Sequence, residues 1–283
     1  MIRRDTSGRW FVKGPALYSE AIMTRSLFIV VALVFCATGA GCGRPESGPT
    51  VIFLDGAGWY ASSGGVESGL RQAGYTGRFE TFSWSAFLGP AHDHFVNANS
   101  RGVGRRLARR IEAQRKLDPE SSIHLMGLSA GTAVVLRALE ELPKNVQVDS
   151  VVLFSASVSS QHNLTRAMAH VKGRLYATAS THDAILAGLP ANADGHGGAP
   201  AGRVGFRLPT AASAQTVEAY NRVVVLPWQP SYLGFGWTGS HTSVTDGRFV
   251  GTVIAPRILS PAPFPLDRSV VSRAEMRTAS PPS

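Results

Sequence analysis

Short, unbroken apolar runs recur along the chain, and stretches with helical periodicity separate them. Thr50–Leu54 (TVIFL), Val151–Phe154 (VVLF) and Val223–Leu226 (VVVL) show no polar alternation, which suits strands buried on both faces of a parallel sheet. Ile123, Leu125 and Met126 form a similar run, and Arg78–Phe82 and Arg174–Ser180 are further strand candidates. Between them, Val66–Gly74 reads as a short helix. Ser100–Leu117 places Val103, Leu107 and Ile111 on one helical face, and Val135, Leu136, Leu139 and Leu142 make a stripe that Pro143 ends. Leu164–Val171 is a short helical stretch, and Phe249–Leu259 closes the folded part. Strands alternating with helices predict an α/β fold, a three-layer α/β/α sandwich around a mostly parallel sheet.

The run at Ile123–Met126 leads into Gly127-Leu128-Ser129-Ala130-Gly131, and the helical stripe starts at once. This is G-x-S-x-G in a strand–turn–helix setting, the setting of a nucleophile elbow. The turn must be tight enough to push the Ser129 hydroxyl away from the sheet, with glycine two residues to either side to leave room. The helix behind it directs its positive dipole end at Ser129, where negative charge can develop. At these residues the chain resembles an α/β-hydrolase, and the resemblance extends over roughly residues 50–257.

The resemblance implies a set of partners for Ser129. Its oxyanion donors would be backbone N–H groups at Ala130 and at Ala57, in the Asp55-Gly56-Ala57-Gly58 turn after Thr50–Leu54, with Gly58 the alternative because Asp55 stands where many relatives carry histidine. The triad acid falls after a late strand, at Asp183, with Asp194 the fallback. The general base falls after the final strand, at His241, ahead of His182 and His196. The order Ser129, Asp183, His241 is that of this fold, not of the chymotrypsin or subtilisin types. Such a site needs no metal and no organic cofactor. Residues 156–173, between two strands, number only 18, which leaves no room for a large lid domain. The short lead-in before Thr50 points to a compact form similar to cutinases and small lipases.

The ends of the chain add a location. Met23-Thr24-Arg25, then the apolar run Leu27–Ala37, then small residues up to Cys42, describe an export leader (residues 1–42) whose true start is Met23. Cys42 resembles the lipidated cysteine of bacterial lipoproteins, although Gly39 stands where that box carries an aliphatic residue. Residues 43–49 read as a linker, 50–259 as the hydrolase domain and 260–283 as a disordered tail. Both cysteines, Cys36 and Cys42, lie in the leader, so a disulfide scaffold is excluded.

Composition narrows the partners. The chain has 283 residues, is 44% hydrophobic and 17% charged, and carries a net charge of +9, of which +3 lies in residues 1–41. The remaining +6 is unremarkable for a soluble or surface-attached enzyme; the arginine-rich Ser100–Leu117 segment has a solvated helix face as its default role. Its functional alternative is attraction to a membrane surface alongside a lipidated Cys42. A nucleic-acid role does not suit an exported chain. His92, Asp93 and His94 have strand-like metal-ligand spacing but no third ligand nearby. Trp84, Phe87 and Leu88 could line an acyl pocket, or belong to the core. The expectation is a monomeric, exported bacterial serine hydrolase, held at the cell envelope or released, that cleaves carboxylic esters. A thioesterase or peptidase on the same triad, and a non-catalytic surface-binding protein of this fold, are the alternatives.

Overall fold

The computed structural model describes residues 2–4, 10–12, 47–58, 61–84, 101–188 and 198–259, the first two segments by backbone alone. Near the N-terminus β1 (Ile2–Arg4) pairs antiparallel with β2 (Trp10–Val12), a hairpin that the sequence pattern did not suggest. It belongs to a separate compact unit, residues 1–44.

Everything else is built on one six-stranded sheet. Its strands are β3 (Thr50–Leu54), β4 (Arg78–Thr81), β5 (Ile123–Leu128), β6 (Ser150–Phe154), β7 (Leu175–Ala179) and β8 (Val223–Pro227). The order is β4-β3-β5-β6-β7-β8, and every neighbouring pair is parallel. The chain steps outward from β3 to β4, then crosses back to β5 and continues the other way. The strand order therefore reverses between β3 and β5, and in open α/β sheets the crevice outside the strand C-termini at that point is where ligands bind.

The helices are α1 (Ser62–Gln72), α2 (Arg101–Leu117), α3 (Gly131–Glu140), α4 (Thr165–Met168), α5 (Ala184–Gly188), α6 (Ala201–Val204) and α7 (Ala214–Tyr220). A final helical stretch runs as α8 (Gly247–Phe249), a π-helical segment (Val250–Ile254) and α9 (Ala255–Leu259). Side chains along each strand alternate between two apolar cores. Ile52, Leu54, Leu125, Val151 and Leu153 pack with α2, α3 and α4. Val51, Phe53, Met126, Val152 and Phe154 pack with α1 and the final helical stretch. This is the three-layer α/β/α sandwich expected, with strands buried on both faces.

Two expectations change. Helix α1 starts at Ser62 rather than Val66, because the Asp55 carboxylate from outside the helix caps it by accepting from the Ser62 N–H at 3.2 Å. Its glycines are also needed, since a Cβ at Gly69 would lie 2.4 Å from the Gly247 carbonyl oxygen. The arginines of α2 are not all solvated: Arg110 is buried against Glu80 (2.6 Å), and Arg115 reaches the Ser121 and Gln147 carbonyls and Asp149. Of the two readings of Trp84, the core one holds: it is buried and donates from Nε1 to the Asp55 carbonyl at 2.8 Å. Where the chain leaves the undescribed residues 189–197, the Ala201 and Gly202 N–H groups donate to the Val158 and Ala156 carbonyls. Among the described residues no helix is long and apolar enough to cross a membrane.

Candidate active site

The register aligns the ends of the central strands, pairing Leu54 with Gly127, Gly127 with Leu153 and Leu153 with Ala177. The turns after β3, β5, β6 and β7 consequently leave the sheet along one edge. That edge carries Ala57, Ser129, Ala130 and Asp183.

Ser129 follows β5 directly and has φ 53°, the left-handed region that L-residues adopt only under constraint. Its N–H donates to the Phe154 carbonyl of β6 at 2.9 Å. Its own carbonyl accepts from the Thr132 N–H at 3.0 Å and from the Thr132 hydroxyl at 2.5 Å, which ties the strained residue to the first turn of α3. The flanking glycines are needed for two different reasons. A Cβ at Gly127 would stand 3.0 Å from the Gly131 backbone, the crowding expected within the turn. A Cβ at Gly131 would meet the Asp55 and Leu54 carbonyl oxygens at 2.6 and 2.7 Å, so this glycine lets α3 approach the end of β3. Ala130 precedes α3 and is fully buried.

Asp183 and His241 form the second half of the site. Asp183 lies in the turn after β7 with no exposed surface. One carboxylate oxygen accepts from the Leu186 N–H at 2.9 Å, capping α5, and the other is 2.7 Å from His241 Nδ1. Opposite a carboxylate, Nδ1 carries the proton and donates, which leaves Nε2 as the acceptor. His241 is 3% exposed and sits in the long connection after β8. Asp183 thus caps a helix and orients an imidazole at the same time, a dual role compatible with its two oxygens.

One residue of this corner had no signal in the sequence. Ser155, the first residue after β6, has φ 43° and is buried. Its hydroxyl donates to the backbone carbonyl of His241 at 3.1 Å, and its N–H donates to Thr178 Oγ1 at 3.0 Å. Ser129 is thus bonded to Phe154 and His241 to Ser155, adjacent residues at the end of β6. Only the positive φ distinguishes Ser155 from the other serines of its Ser-rich turn, and residue types do not encode that angle.

The turn after β3 closes the other side. Ala57 is 6% exposed and Gly58, with φ 69°, is exposed. Burial pushes the Asp55 carboxyl above the usual carboxylate range, opposed by the N–H bonds it accepts. A cavity of about 620 Å³ lies between Gly58, Ser62 and Gly65 on one wall and Thr242, Ser243 and Asp246 on the other. It therefore opens beside both the Asp55–Gly58 turn and the residue after His241.

The remaining sequence candidates separate from this corner or fall outside the description. His182 packs edge-on against Trp228 instead of joining Asp183. Cys42, His92, Asp93, His94, Asp194 and His196 lie outside the described residues, as do Phe87, Leu88 and the 260–283 tail. Among the described residues no cluster of histidine, cysteine, aspartate or glutamate could hold a metal ion.

Strand order, the strained serine beside the sheet's reversal point and the buried His241–Asp183 pair make this a doubly wound α/β protein with a candidate Ser-His-Asp site. No protein-family model and no curated protein matches the sequence. Among solved structures, the chain is similar to a Trichoderma reesei cutinase bound to a phosphonate inhibitor, at 14% identity over 86% of this chain and 92% of that one, with a TM-score of 0.41. A poly(3-hydroxybutyrate) depolymerase from Bordetella parapertussis is similar at 16% identity over 82% and 85%, TM-score 0.43. An esterase of Thermogutta terrifontis is similar at 13% identity over 84% and 83%, TM-score 0.40. Likeness at this level leaves the chemistry to be judged from the chain's own residues.

Proposed function

We propose that this protein is a serine hydrolase that cleaves carboxylic esters through an acyl-enzyme, with Ser129 as nucleophile, His241 as general base and acid, and Asp183 as the carboxylate that orients it. The observation that carries this reading is the 2.7 Å contact between His241 Nδ1 and a fully buried Asp183, beside a serine held at φ 53°. A buried carboxylate fixes the imidazole tautomer and stabilises the imidazolium that forms as Ser129 gives up its proton. The strained turn presents Ser129 at the start of α3, where the N–H of Ala130 and that of Ala57 (alternatively Gly58) would hold the oxyanion. His241 then protonates the leaving group, and water activated by the same imidazole releases the acyl group.

The open cavity of about 620 Å³ beside Gly58 and Thr242 favours a small or surface-accessible ester over one that must be enclosed by a lid. The apolar leader ending in Cys42 supports export, with lipid attachment at Cys42 placing the enzyme at the cell envelope. The exposed basic residues of α2, among them Arg101 and Arg109, would then face anionic headgroups.

Labelling the full chain with a fluorophosphonate probe tests the chemistry. The wild type is expected to label and the Ser129→Ala and His241→Ala variants to lose the label. A folded wild type that takes no label overturns the reading. Turnover of matched esters, thioesters and amides then separates an esterase from a thioesterase or peptidase.

A further inference from the structure

The turn after β3 contains a buried carboxylate that the triad does not use. Asp55 is 4% exposed. One of its oxygens accepts from the Gly56 N–H at 2.9 Å, and the other accepts from the Ser62 N–H at 3.2 Å. The carboxylate therefore grips both ends of the turn that includes Ala57, one end where it leaves β3 and the other where α1 begins. The Asp55 backbone is fixed as firmly. Its carbonyl accepts from Trp84 Nε1 at 2.8 Å and lies 2.6 Å from where a Cβ on Gly131 would stand, directly against the start of α3. The end of β3, the turn, α1 and the serine's helix meet at this residue.

An oxyanion donor lowers the barrier only if it is already aimed when charge develops. A turn left to itself would have to be ordered in every transition state, and a misplacement of about 1 Å can cost roughly 100-fold in rate. Hydrogen bonds from N–H groups to an ionised carboxylate are the strong kind. We propose that Asp55 is a positioning residue of the oxyanion hole, its carboxylate holding the turn so that the Ala57 N–H is aimed beside that of Ala130. This rests on the serine-hydrolase reading above. Asp55 touches neither substrate nor the reacting atoms; its carboxylate accepts from the Gly56 and Ser62 N–H groups.

The test compares the wild type, Asp55→Asn and Asp55→Ala on a carboxylic ester and on the thionoester in which sulfur replaces the carbonyl oxygen. Sulfur is a poor hydrogen-bond acceptor, so the preference for the oxygen ester reports how well the donors are aimed, which general loss of folded protein does not change. The expected result is a fall in kcat/KM for the oxygen ester of about 10- to 100-fold in Asp55→Ala, carried by kcat with KM little changed. The thionoester rate should fall less, so the preference shrinks. Asp55→Asn keeps one acceptor oxygen and should lie between. Equal losses on both esters overturn the proposal and leave Asp55 as a helix cap alone. A faster Asp55→Asn enzyme also overturns it, because the charge of Asp55 beside a developing anion would then outweigh its geometry. If the wild type cleaves neither ester and takes no phosphonate label, the serine-hydrolase reading fails and this proposal with it. An active wild type with an unchanged preference in both variants removes only the role of Asp55.

Discussion

Two serines, Ser129 and Ser155, hold positive φ at the ends of adjacent strands, and they are the described non-glycine residues that do so. Single residues in that region cost of order 1–3 kcal/mol and persist where the surroundings over-determine them. At Ser129 the constraint comes from Phe154 and Thr132, and at Ser155 from Thr178 and the His241 carbonyl. The two contributions of Ser155 can be separated. Ser155→Ala keeps the strain and loses the bond to His241, whereas Ser155→Gly loses both. Both variants should lower kcat by about tenfold through a looser imidazole. In thermal melts Ser155→Gly should be the more stable of the two, because glycine adopts this φ without strain. Equal melting temperatures would show that the angle stores no strain. At the triad itself, Asp183→Asn should lower kcat by about 10⁴ through the wrong imidazole tautomer, as in other triads. Its amide oxygen can still accept from the Leu186 N–H, so the start of α5 should hold and a melt on the same preparation should show little loss of stability.

The elements that carry the site are held by close backbone approach. Helix α1 follows the Asp55–Gly58 turn and the final helical stretch follows His241, and the two cross through glycines. A Cβ at Gly65 would lie 2.3 Å from the Thr245 carbonyl oxygen, and one at Gly251 2.9 Å from the Gly69 carbonyl oxygen. This crossing sets the spacing of the two walls of the cavity. Gly69→Ala should destabilise by about 1–3 kcal/mol by overpacking, seen as a melting temperature lower by about 2–4 °C per kcal/mol. Gly64, in the same helix, has open space around its Cβ position and is the control, since its replacement by alanine should be neutral or stabilising. Equal effects at both positions would mean that the crossing is loose. The sequence pattern placed α1 four residues late because glycines read as helix breakers. Their purpose, contact with a helix some 180 residues further along, is invisible to local periodicity.

At the scale of the whole molecule, a buried histidine and a half-buried glutamate make stability depend on pH. Burial holds the His124 imidazole below its ordinary value against the opposing pull of Asp149, and its Nδ1 lies 2.7 Å from the Ser150 hydroxyl. Burial pushes Glu140 up, but the hydrogen bond and charge of His162, then Arg137 and Arg166, outweigh it and leave the carboxyl below the usual range. In both cases the folded state binds fewer protons than the unfolded one, so stability rises with pH. The His124 contribution is complete above about pH 6.5 and is lost as pH falls below that. The Glu140 contribution is complete above about pH 4.5 and is lost in stronger acid. Urea unfolding at pH 7.5 and pH 5 should therefore show a drop in acid that His124→Gln removes. A drop of the same size in the variant would assign it elsewhere.

The amino-acid sequence by itself determined the layers and the order of the site. Runs such as Thr50–Leu54 and Val151–Phe154 can only be buried on both faces, and G-x-S-x-G between a strand and a helix leaves few alternatives to an elbow. Hydrophobic period and turn chemistry are local, so they survive in one dimension. The resemblance named Asp183 and His241 from their places after late strands, but the contact itself, across 58 residues, and the turning of His182 to Trp228 came from the tertiary structure. It alone made Asp55 a clamp, Ser155 a support for His241 and Arg110 a buried ion pair. The physical reason is the same in each case. Aspartate, serine and arginine are ordinary surface residues until a neighbouring strand or helix arrives with the donor or acceptor that makes burial tolerable.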